Sequence, residues 1–178
     1  ELSTRDWSSD VCSSDLLALA TAGLTSMAVQ AAPLMSNEWA QQACSYWNTN
    51  TALTNDLAVK WAPNDGGRGY KVIHMYRTDC GEAGKVEMTI STKGGKTTCV
   101  YAGPVQHADL NYEMDYKMHA ETKRWREMGA GEYGPMRAMM FGRLKFEGPK
   151  VEAMKVMGPF EQFLLIPGKV AGDDSCPK

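Results

Sequence analysis

Apolar positions along the chain follow two rhythms. Behind Ser36-Asn37-Glu38, Trp39, Ala40, Ala43, Cys44 and Trp47 recur at spacings of three and four, which predicts an amphipathic helix with Ser36 or Asn37 as its N-cap. A second short helix is predicted over Leu53 to Trp61, ending at the turn-forming run Pro63-Asn64-Asp65-Gly66-Gly67. The period then drops to two over Tyr70 to Arg77, Lys85 to Ser91 and Lys96 to Ala102. In the second of these, Val86, Met88 and Ile90 fall on one face, with Glu87, Thr89 and Ser91 on the other. Thr92-Lys93-Gly94-Gly95 supplies a hairpin, so the three strands read as an antiparallel meander. Tyr112 to His119 alternates in the same way and predicts a fourth strand, with Glu113 and Asp115 on its wet face.

Helical spacing returns afterwards. Thr122 is placed to cap a short helix through Trp125 and Met128, and Pro135, a favoured first helical residue, opens another with Met136, Met139 and Met140 along its buried side. Phe141 to Gly148 reads as a last strand and Lys150 to Met157 as a helix with Val151, Met154 and Met157 on its apolar face, and Gly158-Pro159 breaks the chain before Phe160 to Leu165. Strands grouped first, then helices with one further strand between them, predict an α+β domain.

The N-terminal stretch is set apart from this pattern. The run DWSSDVCSSDL, Asp6 to Leu16, matches one reading frame of a sequencing-library adapter, so residues 1–16 are read as an assembly artefact and Cys12 and Trp7 carry no meaning. Residues 17–31, uncharged and rich in small residues, read as a truncated signal peptide. The expected mature protein is one domain over residues 32–178, periplasmic or secreted, with 18 basic and 17 acidic residues. That balance, without a Lys/Arg block, argues against nucleic acid as a partner and against an anionic membrane surface as the main one, leaving room for transient membrane contact. Four cysteines remain, Cys44, Cys80, Cys99 and Cys176, which in an exported chain favour two disulfides over a metal site, since no C-x-x-C spacing occurs. The expected pairing is Cys80 with Cys99, closing a short loop around one hairpin strand, and Cys44 with Cys176.

The sequence Gly142-Arg143-Leu144-Lys145-Phe146-Glu147-Gly148, preceded by a helix and followed by a Met/Ala-rich helix ending in Met154-Lys155, resembles the C-terminal half of the sterol carrier protein type 2 family. The resemblance spans about residues 69–165. Pro149 departs from it, standing where the family often has an acidic residue. The resemblance implies a five-stranded, mostly antiparallel sheet covered by helices, an apolar tunnel for a sterol, fatty acyl or quinone type ligand, no cofactor and no catalytic residues. Adaptable apolar side chains suit such a tunnel, and the expected lining is Met136, Met139, Met140, Phe141, Leu144, Phe146, Met154, Met157, Phe160, Phe163 and Leu164.

Two other functions stay open at this stage: a ligand-free structural or interaction module whose apolar residues only fill a core, and a thiol-redox enzyme using Cys80 and Cys99. Gly129-Ala130-Gly131-Glu132-Tyr133-Gly134 matches a dinucleotide-binding pattern but follows a charged helical segment rather than a strand, and reads as a loop. His74, His107 and His119 are scattered, each read as a solvent-facing or satisfied strand residue.

Overall fold

The computed structural model describes residues 31–178, so the stretch read as adapter, and all but the last residue of the one read as a signal peptide, lie outside it. Helix α1 (Asn37–Thr49) starts at Ser36, whose hydroxyl accepts a hydrogen bond from the Trp39 amide at 3.2 Å and satisfies one of the unpaired first-turn donors. A π-helical turn (Ala52–Asp56) leads into α2 (Leu57–Lys60), so the predicted second helix forms as two short pieces. Strands β1 (Tyr70–Arg77), β2 (Val86–Ser91) and β3 (Thr98–Pro104) form the expected meander. The chain then crosses the sheet to β4 (Tyr116–Ala120), which lies parallel to β1, and β5 (Lys145–Glu147) pairs antiparallel with β4. The strand order is β3-β2-β1-β4-β5, the five-stranded, mostly antiparallel sheet expected.

Helices cover one face. Between β4 and β5 lie α3 (Thr122–Gly129) and α4 (Pro135–Met140), and after β5 come α5 (Lys150–Met154), α6 (Met157–Leu164) and α7 (Ile166–Lys169). Pro159 sits inside the first turn of α6, where its missing N–H removes no helical bond, so Gly158-Pro159 does not break the chain as predicted; the break falls at 155–156. Val151 and Met154 turn outward and Glu152 and Ala153 inward, the reverse of the expected α5 face, because Glu152 is held by a buried lysine.

The other sheet face is covered by the 105–115 crossover, which explains why Glu87 is buried on a face that reads as wet. Its carboxylate accepts from the amides of Gln106 at 2.9 Å and His107 at 2.8 Å, and pairs with the rings of His107 and His74. These bonds outweigh the burial that opposes ionisation and hold the Glu87 pKa at about 2. Asp115 is likewise buried, not wet. It accepts from the Val72 amide (2.9 Å), the Asn111 amide (3.1 Å) and Arg68 (2.6 Å), and that inward turn starts β4 at Tyr116 rather than Tyr112.

Both disulfides differ from the expected pairing: Cys44 bonds Cys99 and Cys80 bonds Cys176. The sequence could not show that α1 packs along β3. There Asn48 exchanges two hydrogen bonds with the Cys99 backbone, at 2.8 and 2.9 Å, and brings Cys44 over Cys99. Cys176 reaches Cys80 because buried Arg77 gathers the C-terminal tail, donating to the carbonyls of Asp174 (2.6 Å) and Ser175 (2.8 Å) as well as Leu34 (3.1 Å). Thr122 is the first residue of α3 rather than its cap; its amide donates to Asp79 at 2.9 Å. Gly129 ends α3 against the backbone of α7, where a Cβ would lie 2.6 Å from the Gly168 nitrogen, so that glycine serves helix packing.

Candidate functional site

Between the helical layer and the sheet lies an apolar cavity of about 40 Å³. Six aromatic side chains from α1, the end of α2, β4, β5 and α6 form a closed circuit around it. Trp47 meets Trp61 (centroids 6.5 Å apart), Trp61 stacks on Tyr116 (6.0 Å), and Tyr116 meets Phe146 edge-on (5.5 Å). Phe146 then meets Phe160 (5.7 Å), Phe160 meets Phe163 (6.3 Å), and Phe163 returns to Trp47 (6.1 Å). Offset and edge-on contacts at these separations are favourable in themselves. Ile73, Met118, Ala153 and Val156 complete the wall. A void of this size costs about 1 kcal/mol in lost packing, and with apolar walls it stays dry.

The circuit rests on a buried polar group. Lys71 is fully enclosed on β1, beside the cavity wall, with its ammonium 4.2 Å above the Trp61 ring and 5.2 Å from that of Tyr116. It donates to the Trp61 carbonyl at 3.1 Å and to the Glu152 carboxylate, which also accepts from the Tyr116 hydroxyl and from Asn64. Burial pushes the Lys71 pKa down while Glu152 opposes it, and burial beside Glu152 pushes the Tyr116 hydroxyl far above its ordinary value. The sequence carries no signal for this group, since Lys71 and Glu152 stand 81 positions apart.

A second, open hollow of about 470 Å³ lies on the other side of Phe146, lined by Met136, Met139, Met140, Leu144, Phe146 and Met154 together with Lys145 and Lys150. Phe146 is the wall common to the two spaces. The residues predicted from sequence therefore divide. Phe146, Phe160 and Phe163 enclose the inner cavity, and Met136, Met139, Met140, Leu144 and Met154 line the outer hollow. Met136 and Met140 are exposed there rather than on a buried helix side, because α4 turns Ala138 inward and borders the hollow with its methionines. Phe141 instead faces a neighbouring hollow with Arg124 and Arg143, Met157 packs half-buried against the core, and Leu164 lies within the core. Sequence reasoning missed Trp47, Trp61 and Tyr116. The first two were recognised only as apolar positions of helices, and the third as one tooth of a strand pattern.

Cys80 and Cys99 belong to different disulfides, which removes the dithiol that a redox enzyme would use. Of the histidines, His74 and His107 are satisfied by Glu87, while His119 stacks on Tyr76 at 4.5 Å and its buried Nδ1 has no hydrogen-bond partner among the described residues.

The chain is similar in fold to a crystal structure of sterol carrier protein 2, with 19% identity and a TM-score of 0.49 over 78% of this chain and 99% of that one. The solution structure of a conserved hypothetical protein from Thermus thermophilus gives 20% identity and a TM-score of 0.45 over 82% and 97% of the two chains. The solution structure of the sterol carrier protein domain 2 of Helicoverpa armigera gives 18% and 0.41 over 71% and 86%. No curated protein matches the chain. The sequence model of the SCP-2 sterol transfer family matches residues 58–161, a span holding four of the six aromatic residues of the circuit, Phe146 among them, and all the residues that line the outer hollow. The chain belongs to the SCP-2 sterol transfer family.

Proposed function

We propose that this protein is an exported carrier that binds a lipid-like molecule of sterol, fatty acyl or quinone type and performs no chemistry on it. The observation that carries the proposal is the closed aromatic circuit around a dry cavity, with Phe146 alone among the described residues shared between that cavity and the methionine-lined hollow. At about 40 Å³ the inner cavity is far smaller than the several hundred Å³ of an occupied ligand site, so loading moves side chains apart. Phe146 and the unbranched methionines are the side chains best suited to yield. Each ligand methylene taken from water then contributes about 0.8 kcal/mol. Two disulfides suit an oxidising compartment, and no described helix is long and apolar enough to cross a membrane.

Native mass spectrometry of residues 32–178 tests the proposal. Protein stripped of lipid and mixed with oleate or a sterol is expected to gain one ligand mass that leaves on collisional activation. A chain that takes up neither, nor a quinone, is a ligand-free module instead.

A further inference from the structure

We infer that the surface formed by α4, β5 and α5 docks onto a lipid bilayer bearing anionic headgroups, placing the outer hollow against the membrane. Eight large apolar side chains are exposed among the described residues, and five of them, Met136, Met140, Phe141, Val151 and Met154, fall within this one stretch of chain. Met140 is 70% and Phe141 66% exposed, more than a folded chain gains from leaving them in water. They are interleaved with Arg137, Arg143, Lys145, Lys150 and Lys155, none of which makes an ion pair among the described residues. The two carboxylates of the same stretch are already engaged, Glu147 with Lys117 at 2.8 Å and Glu152 with buried Lys71.

The overall charge balance hides this face because its own two carboxylates are paired with lysines of β4 and β1 and the other acidic residues lie outside the stretch. Met136, Met140, Met154, Lys145 and Lys150 line the same hollow, so the apolar and cationic groups surround one opening rather than merely sharing a stretch of sequence. Apolar tips beside cations that have no carboxylate partner among the described residues, Lys145 and Lys150 at the hollow itself, are complementary to an interface of acyl chains beneath anionic headgroups. A protein partner or a second copy of this chain would have to supply carboxylates around an apolar centre.

The test uses residues 32–178, without added ligand, and cosedimentation with vesicles of phosphatidylcholine alone or containing about 30% phosphatidylglycerol. Binding is expected to the anionic vesicles, to weaken steeply with salt, and to fall about tenfold or more both in Met140→Asp/Phe141→Asp and in Lys145→Glu/Lys150→Glu. Val59→Asp/Val100→Asp, which alters exposed apolar residues elsewhere, is expected to bind as the parent does. All three altered pairs are surface positions, and thermal unfolding checks that each variant is folded. Absence of vesicle binding, equal binding by all variants, or self-association that Met140→Asp/Phe141→Asp abolishes would each overturn the assignment. Failure here leaves the cavity proposal standing, because the vesicle assay involves no ligand uptake.

Discussion

The ammonium of Lys71 and the carboxylate of Glu152 form a buried pair at the edge of the aromatic circuit, with the Trp61 ring 4.2 Å from the charge. The pair ties β1 to α5, two elements that also bound the cavity. Removing one partner strands the other. Glu152→Leu leaves Lys71 with only the Trp61 carbonyl and is expected to lower stability by about 3–5 kcal/mol. Lys71→Met, which leaves Glu152 with the Tyr116 and Asn64 donors, is expected to be the milder change, and the double variant to recover part of the loss. Urea unfolding of the three variants measures this; additive losses would contradict the pairing.

Acid should loosen the crossover that covers the back of the sheet. Glu87 is held at about 2 in the folded protein and returns to about 4.5 when unfolded, so its contribution is complete above 4.5 and drains away as pH falls toward 2. The difference corresponds to about 3 kcal/mol. His74 acts in the same direction from a higher pH. Burial lowers its folded pKa, so the unfolded chain takes up its proton first and stability begins to fall below about 6.5. Glu87→Gln is expected to lower stability at neutral pH and to flatten its decline between 4.5 and 2, as read from urea midpoints across pH. Parallel curves for parent and variant would contradict the assignment.

The disulfides predict two different losses. Cys44–Cys99 spans 55 positions and Cys80–Cys176 spans 96, for which chain entropy gives about 4 and 5 kcal/mol. Serine at Cys80 and Cys176 should expose the tail after Val170 to proteolysis while leaving the α1–β3 contact intact; serine at Cys44 and Cys99 should do the reverse. Non-reducing peptide maps that showed Cys80 joined to Cys99 would contradict the fold.

Elements with strong local periodicity were legible in the sequence: α1 with its cap at Ser36 or Asn37, the β1–β3 meander and the Pro135 start of α4. Features fixed by distant partners were not. Asp115 shortens β4 through bonds to Arg68 and Val72, and Glu152 turns α5 inward to reach Lys71, reversing the face that Val151 and Met154 suggested. The site was half legible for the same reason. The C-terminal methionines and phenylalanines share a stretch of sequence, whereas Trp47, Trp61 and Tyr116 join them only because the sheet brings α1, α2 and β4 to one place.

Ala153 gives a way to close the inner cavity from α5. Ala153→Leu adds apolar volume where about 40 Å³ is empty, so stability is expected to hold or to rise by up to about 1 kcal/mol. Affinity for oleate is expected to fall about tenfold, since the new side chain occupies the space the ligand needs. Isothermal titration alongside thermal unfolding separates the two effects; unchanged affinity would place the ligand elsewhere.

Ligand uptake beside the aromatic circuit is most directly visible through the tryptophans themselves. Trp47 and Trp61 line the cavity, whereas Trp39 and Trp125 are buried away from it. Titrating residues 32–178 with a brominated fatty acid, which quenches indole fluorescence on contact, should give saturable one-to-one quenching that disappears in Trp47→Phe/Trp61→Phe. Quenching that survives that double substitution, or none in a folded parent protein that binds the lipid by mass, would contradict a ligand seated within the circuit.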